Sequence, residues 1–374
     1  MSLKSLPIAL HLNPDQDAEQ KLLEIEKIIT DELQDLDSKH SISNNQDKII
    51  VWTSKNCNVT VMISYYSSKQ LFSINCEMLE DYVLFRSNSI GDRLKKRLNF
   101  LLNANQEDSV EVIPMLKRDN PVPLYFLSSD YRIFQYDFEE VLVNENSPFQ
   151  NIKILKSPTL GNCLLLDDLQ NLAEADLPYT HGLMNYGSTN FKDKEILILG
   201  GGDGALLNEL LKESPKFVTM IDIDEKVMLY CREYLRKACA NVLDNFETEH
   251  YKIIVGDCIE YMQNYIASNR QFDIIFNDLT DIPISSEEKR DIIVDDNQKL
   301  WAFVKKILEF SLELLHPGGL YFNHAIGINC KQSLQEYENV LREIKKFQIE
   351  FSSHSRFVPS FLENWVFYQI KKIS

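Results

Sequence analysis

Ile196-Leu197-Ile198-Leu199-Gly200-Gly201-Gly202-Asp203-Gly204-Ala205 is the stretch whose reading decides the fold. Four consecutive apolar residues read as a buried strand, and the glycine run after them opens a helix over residues 205–211. Strand, glycine turn and helix together form the nucleotide-binding corner of an open, doubly wound α/β sheet. Glycine is needed because the turn is tight and a ligand must approach the backbone, where a Cβ would collide. Gly200, Gly201, Gly202 and Gly204 are therefore the expected cradle.

Downstream the chain alternates strands over 218–223, 252–255 and 272–276 with a helix over 225–235, the pattern of a parallel sheet. Asp222 lies 222 − 203 = 19 residues past Asp203, near the offset of ~20 at which a carboxylate accepts hydrogen bonds from ribose hydroxyls. Asp257, followed by Cys258, ends the third strand and can accept from an adenine amino group. Asp278 ends the fourth, on the same carboxyl edge. Such a corner fits three ligands: a dinucleotide, S-adenosylmethionine, or decarboxylated S-adenosylmethionine. Asp203 separates them. A pyrophosphate over the turn would be repelled by up to ~4 kcal/mol per charge pair at ~4 Å and an effective dielectric near ~20. The decarboxylated donor carries only an amine and a sulfonium, which an aspartate in the turn favours. A methyltransferase shares the corner but leaves the pair Asp203 and Asp278 without a purpose.

Upstream, apolar spacing predicts a helix over 15–36, followed by strands over 48–53, 58–66 and 70–77. This reads as an N-terminal α+β domain, residues 1–120. Asp119-Asn120-Pro121-Val122-Pro123 is a linker, since proline continues neither a helix nor a central strand. A small β domain, 121–185, with strands between 131 and 167, precedes the catalytic domain, 186–374. The acidic residues 285–296 read as an exposed loop.

The formal net charge of −17 over 374 residues repels nucleic acid and anionic lipid and suits a cationic ligand. No stretch reaches the ~18 apolar residues of a membrane span, and no leader pattern opens the chain, so a cytoplasmic location is expected. Seven cysteines without a CxxC pair read as free thiols rather than a disulfide framework or zinc site. His181, His324 and His354 form no metal-binding set and read as structural or surface positions, so no metal is expected.

The glycine turn, Asp278-Leu279-Thr280, residues 147–154 (SPFQNIKI), Asn171-Leu172-Ala173-Glu174, residues 176–180 and 239–245, and the C-terminal PSFLENWVFY of 359–368 together resemble the aminopropyltransferase family. Spermine synthases are its most similar branch. The resemblance implies a Rossmann-like, class I methyltransferase-like catalytic domain behind a small β domain. It also implies an N-terminal domain like S-adenosylmethionine decarboxylase that makes a homodimer. The implied reaction moves the aminopropyl group of decarboxylated S-adenosylmethionine, a co-substrate, to spermidine, giving spermine and 5′-methylthioadenosine without a cofactor. Position by position, Asp278 falls where the family has its general base, and Asp203 and Tyr179 where it binds acceptor. Gln150 falls at a contact to donor and reacting amine, and Asp222, Asp257 and Cys258 at the nucleoside positions. Glu363 falls where a carboxylate holds the far end of spermidine. Three departures stand out: Asp222 replaces the usual glutamate, Phe361 replaces a tyrosine, and Asp281 makes an Asp-x-x-Asp pattern like that of spermidine synthases, which act on putrescine.

Overall fold

Leu197, Ile198 and Leu199 expose no surface, which a strand achieves only with neighbours on both edges and layers on both faces. The protein, seen in a computed structural model, is described at residues 3–13, 16–33, 35–44, 47–79, 90–102, 110–285 and 294–374. It divides into two units, Met1–Pro121 and Val122–Ser374. No helix among the described residues is long and apolar enough to cross a membrane.

The first unit runs β1 (Leu3–His11), α1 (Ala18–Glu32), β2 (Leu36–Ser43), β3 (Lys48–Ser54), β4 (Val59–Tyr66), β5 (Leu71–Leu79), α2 (Ile90–Leu101), β6 (Val110–Val112) and β7 (Leu116–Lys117). Its sheet has the order β2-β3-β4-β5-β1-β6, with β7 also on β1. Alternate residues Leu6, Ile8 and Leu10 of β1 and Phe72, Ile74 and Cys76 of β5 build one apolar face. Helices α1, through Leu22, Ile25 and Ile29, and α2, through Leu94 and Leu98, contribute to the same core. Asp17 starts α1 by accepting from the Glu19 and Gln20 amides, so the helix is shorter than the span 15–36. Strand β1 was not foreseen. Pro7 argues against an interior strand, yet its carbonyl accepts from the Ile113 amide (3.0 Å) where its missing N–H cannot contribute.

The second unit runs β8 (Tyr125–Leu127), β9 (Ile133–Gln135), β10 (Glu140–Asn146), β11 (Asn151–Ser157), β12 (Gly161–Leu166), β13 (Leu169–Ala173), α3 (Leu177–Leu183), β14 (Glu195–Gly200), α4 (Ala205–Lys212), β15 (Phe217–Asp222), α5 (Glu225–Tyr234), α6 (Arg236–Cys239), β16 (Tyr251–Val255), α7 (Cys258–Ala267), β17 (Phe272–Asp278), α8 (Val294–Leu314), β18 (Leu315–Gly327), α9 (Lys331–Glu343), β19 (Ile349–Val358) and β20 (Glu363–Lys372). Strands β10 to β13 form an antiparallel sheet whose central strands β11 and β12 bury residues on both faces. Ile152, Ile154 and Leu164 join the main core, and Leu155, Cys163 and Leu165 join a smaller one with Tyr136 and Phe138.

The large sheet has the order β16-β15-β14-β17-β18-β20-β19. It is parallel from β16 to β18, and β20 and β19 add an antiparallel edge. The chain moves outward from β14 through β15 to β16, then returns to the other side of β14 as β17. That reversal opens a crevice at the carboxyl ends of β14 and β17. Of the acidic segment expected as a loop, residues 286–293 lie outside the described residues. Ser285 is a buried rather than exposed loop residue, with its amide on Ser333 Oγ (2.8 Å), and 294–296 open α8 rather than belonging to a loop.

Gly200 pairs with Asp278 across β14 and β17. Its φ is +83°, and a Cβ there would lie 2.2 Å from the Asp278 carbonyl oxygen. Gly200→Ala is expected to cost about 2–4 kcal/mol, the sum of left-handed strain and a backbone clash, read as a lower urea midpoint; an unchanged midpoint would show that the corner tolerates a side chain.

Candidate active site

At the carboxyl ends of β14, β15, β16 and β17 lies a cleft of about 550 Å³. Six aspartates line it, Asp167, Asp203, Asp222, Asp257, Asp278 and Asp281, and no lysine or arginine does among the described residues. Like charges gathered in a part-buried hollow raise one another's proton affinity and attract cations. Burial first, then Asp278, pushes Asp203 up to about 7. Asp222 and Asp278 are also raised, in each case chiefly by burial. Among the described residues no group of three or more His, Cys, Asp or Glu is arranged to hold a metal ion.

Each aspartate is placed by local backbone. Asp203 Oδ1 accepts from the Ala205 amide (2.7 Å) inside the glycine turn. Asp222 ends β15 and accepts from the Gly202 amide (2.9 Å) and the Asp224 amide (2.8 Å). A Cβ on Gly202 would stand 2.8 Å from that carboxylate, so the glycine lets the acid fold back onto the turn. Both Asp222 oxygens keep a free lone pair, enough for a ribose diol, despite the shorter side chain. Asp257 caps α7 through the Ile259 amide (2.9 Å), with Cys258 buried beside it. Asp278 ends β17 next to the turn, and its Oδ1 accepts from the Tyr179 hydroxyl (2.9 Å).

Tyr179 comes from α3, begun by Asp176 with Pro178 in the first turn. Its ring packs at 5.8 Å from Phe361 and 5.5 Å from Phe367. Gln150 follows β10, and its Nε2 donates to Asp224 Oδ2 (3.1 Å), which also accepts from Ser147 (2.6 Å). Asp224 is thus a buried anchor that aims Gln150 at the cleft and caps α5. The structure brings Gln150, Tyr179, Gly200, Gly201, Gly202, Asp203, Asp222, Asp257, Cys258 and Asp278 to one cleft, together with Asp281 and Phe361.

Two expected site residues lie elsewhere. Gly204 (φ +79°) is not part of the wall; its missing Cβ makes room for Leu243 and Cys239 at the start of α4. Glu363 is also outside the wall. Its buried carboxylate accepts from the Ser129 amide (2.8 Å) and hydroxyl (2.7 Å), with Arg132 at 3.4 Å.

His324 corrects the reading of the histidines as structural or surface positions. His181 and His354 do make structural contacts, to Glu209 (3.2 Å) and the Gly182 carbonyl (2.9 Å). His324 instead sits in the cleft wall, 6% exposed. Its Nδ1 lies 2.9 Å from Asp281 Oδ1 and its Nε2 lies 3.9 Å from Asp278 Oδ1. The closer contact is off the line of the ring N–H, so it is a close polar contact rather than an aligned hydrogen bond. Burial opposes the charged ring, but Asp281 and Asp278 outweigh it and the imidazole is held above its usual range. No local sequence signal marks it: His324 follows Asn323, which stands beside Asn277, one residue before Asp278, only through β17–β18 pairing.

The Asp203 shift carries a stability consequence. The folded state binds this proton more tightly than the unfolded chain, so stability falls as pH rises from about 4 to about 7. Asp203→Asn is expected to stabilise the protein by about 1–3 kcal/mol at pH 8 and not at pH 4. Denaturant unfolding at the two pH values checks this; equal effects at both would count against a buried, proton-hungry carboxylate.

Residues 177–374 match the Spermine/spermidine synthase domain family, and 125–174 match the Spermidine synthase tetramerisation domain. The chain is similar to the polyamine aminopropyltransferase of Aeropyrum pernix, with 28% identity over 61% of this chain and 68% of the relative. The enzyme of that description from Serratia proteamaculans is 31% identical over 50% and 59%, and that of Yersinia pestis 31% over 41% and 50%. These alignments span half to about two thirds of the relatives' own length. Among solved structures, the fold is similar to spermidine synthase of Thermotoga maritima (TM-score 0.51, 18% identity, 67% of this chain and 79% of that one). It is also similar to a spermidine synthase in complex with the transition state analogue AdoDATO (TM-score 0.52, 18% identity, 69% and 82%). With the glycine corner, the mixed and mostly parallel sheet and a family match over more than half its length, the chain belongs to the spermine/spermidine synthase family.

Proposed function

We propose that the protein transfers the aminopropyl group of decarboxylated S-adenosylmethionine to a primary amine of a polyamine. The observation that carries this is the cleft itself, with six aspartates and no lysine or arginine in its wall among the described residues, beside a nucleoside-type glycine turn. The donor carries a sulfonium and an ammonium, and the acceptor two or more ammoniums. Such a pair of polycations complements this hollow as no dinucleotide would.

The acceptor amine has an unperturbed pKa near ~10.4 and arrives protonated. Carboxylates alone would hold it so; the neighbouring sulfonium opposes that and favours proton loss. Asp278, fixed by Tyr179, receives the proton. The freed lone pair attacks the methylene carbon bonded to sulfur, the C–S bond breaks, and its electrons return to sulfur, giving neutral methylthioadenosine. The remaining contribution is alignment, worth several kcal/mol when reactants are held in line. Gln150, Asp222 and Asp257 are placed to provide it.

For the acceptor, the match of residues 359–368 supports spermidine, with spermine as product. A specific observation favours the shorter putrescine: Asp281 is on the cleft wall, whereas Glu363 is occupied by Ser129 and Arg132. A long acceptor must displace those partners to reach Glu363. Self-association is part of the same reading, supported by the tetramerisation-domain match at 125–174 and, from the sequence resemblance, by dimerisation through residues 1–120.

Incubation with decarboxylated S-adenosylmethionine and either polyamine, followed by product analysis, tests both levels. Methylthioadenosine should appear with product, and Asp278→Asn should lower kcat by about 10²–10⁴-fold. Spermine from spermidine, weakened in Glu363→Gln, assigns the long acceptor; spermidine from putrescine, weakened in Asp281→Asn, assigns the short one. No product from either polyamine would refute the transfer.

A further inference from the structure

Each transfer leaves one proton on the buried base. Attack by an ammonium that has lost one proton yields a secondary ammonium, a neutral thioether and one released proton, which rests on Asp278. That carboxylate is only 9% exposed on its side chain, so it needs a way to pass the proton to water before the next turnover.

We propose that His324, acting through Asp278, is the proton exit of this cleft, passing the acceptor's proton to Asp281 and solvent. The inference rests on the transfer reading. Asp278 Oδ1, Nε2 and Nδ1 of His324, and Asp281 Oδ1 follow one another at 3.9 Å and 2.9 Å, and Asp281 is 51% exposed on its side chain. The chain of atoms therefore starts at a buried base and ends in water. The 3.9 Å gap closes to hydrogen-bond length with a side-chain shift of about 1 Å, the kind of tightening expected when a ligand fills the site. An imidazole suits the task because it accepts at one nitrogen while releasing from the other.

The ring's surroundings point the same way. The titratable groups facing it are Asp278 from β17, Asp281 just after it and Tyr179 from α3, whose ring centroid is 5.8 Å away. Phe367 lies across from it on β20. Nδ1 has no aligned hydrogen bond to the scaffold, unlike Nε2 of His354 on the Gly182 carbonyl. A histidine kept only for packing would have such a partner; this one has two carboxylates.

Balanced, each turnover runs as follows. The acceptor ammonium gives H⁺ to the Asp278 carboxylate; the amine displaces the thioether; the Asp278 proton moves to Nε2 of the neutral Nδ1–H ring, the Nδ1 proton leaves to Asp281 and water, and proton exchange with water returns the ring to its Nδ1–H form. No oxidant, metal or further reactant enters.

The test compares wild type, His324→Gln and His324→Gly with the acceptor that wild type uses, from pH 6.5 to 9.5. Glutamine keeps a polar group of similar reach but cannot relay a proton. His324→Gln is expected to lose about tenfold or more in kcat near pH 7 with donor KM little changed. The loss should shrink toward pH 9.5, where more acceptor arrives as free amine. Added imidazole should restore kcat in His324→Gly at neutral pH. A drop equal at every pH and untouched by imidazole would mean a packing role and overturn the relay, as would wild-type kcat in His324→Gln. An inactive wild type would refute the transfer reading instead, and the relay with it.

Discussion

A single close approach, the Cα of Gly200 against the carbonyl of Asp278, holds the site together. Parallel pairing of β14 and β17 places those residues side by side, and only a residue without a Cβ lets the turn after β14 lie over the end of β17. Asp278 is thereby delivered to the glycine turn that carries Asp203. Gly202 repeats the device on the other side, admitting the Asp222 carboxylate to its own amide. Gly204 serves packing, leaving space for Leu243 and Cys239 where α4 begins. Three neighbouring glycines thus meet a carbonyl, a carboxylate and an apolar wall.

Electrostatics follow from that geometry. Gathering Asp203 in the turn with Asp222 and Asp278 at strand ends removes water from carboxylates while setting them against one another, and both effects favour protonation. The clustered carboxylates therefore repel one another, so the cleft's attraction for positive charge and its cost in stability share one cause. Backbone amides moderate the cost: Ala205 serves Asp203, and Gly202 and Asp224 serve Asp222. Tyr179 and His324 do the same for Asp278, which is why the two side chains converge there.

The wall that carries Tyr179 and Phe361 is framed by long-range polar links. Asp176 is buried and accepts from the Ser360 amide (2.9 Å) and hydroxyl as well as the Ala173 amide (2.6 Å). The Tyr136 hydroxyl donates to the Ser360 carbonyl (2.7 Å). Together they pin the loop before β20 against α3, which sets Phe361 on Tyr179 and Trp365 behind it. Burial raises Asp176, so this buried acid is a weak point of the frame if its partners are lost.

Sequence alone determined what depends on neighbours along the chain. The apolar run of β14, the glycine turn, α4, and the strand-end acids Asp222, Asp257 and Asp278 were legible because strand period, turn chemistry and helix capping are local. In the first unit β3, β4 and β5 were legible for that reason, while β1 was hidden by Pro7 and β2 by its polar, exposed edge composition. Only tertiary structure decided which acids share a cleft with a histidine and which is taken up elsewhere. His324 reaches Asp278 because β18 pairs with β17, and Glu363 meets Ser129 from 234 residues away. Such pairings are selected by burial and hydrogen-bond satisfaction across the whole fold, which no short window of residues encodes.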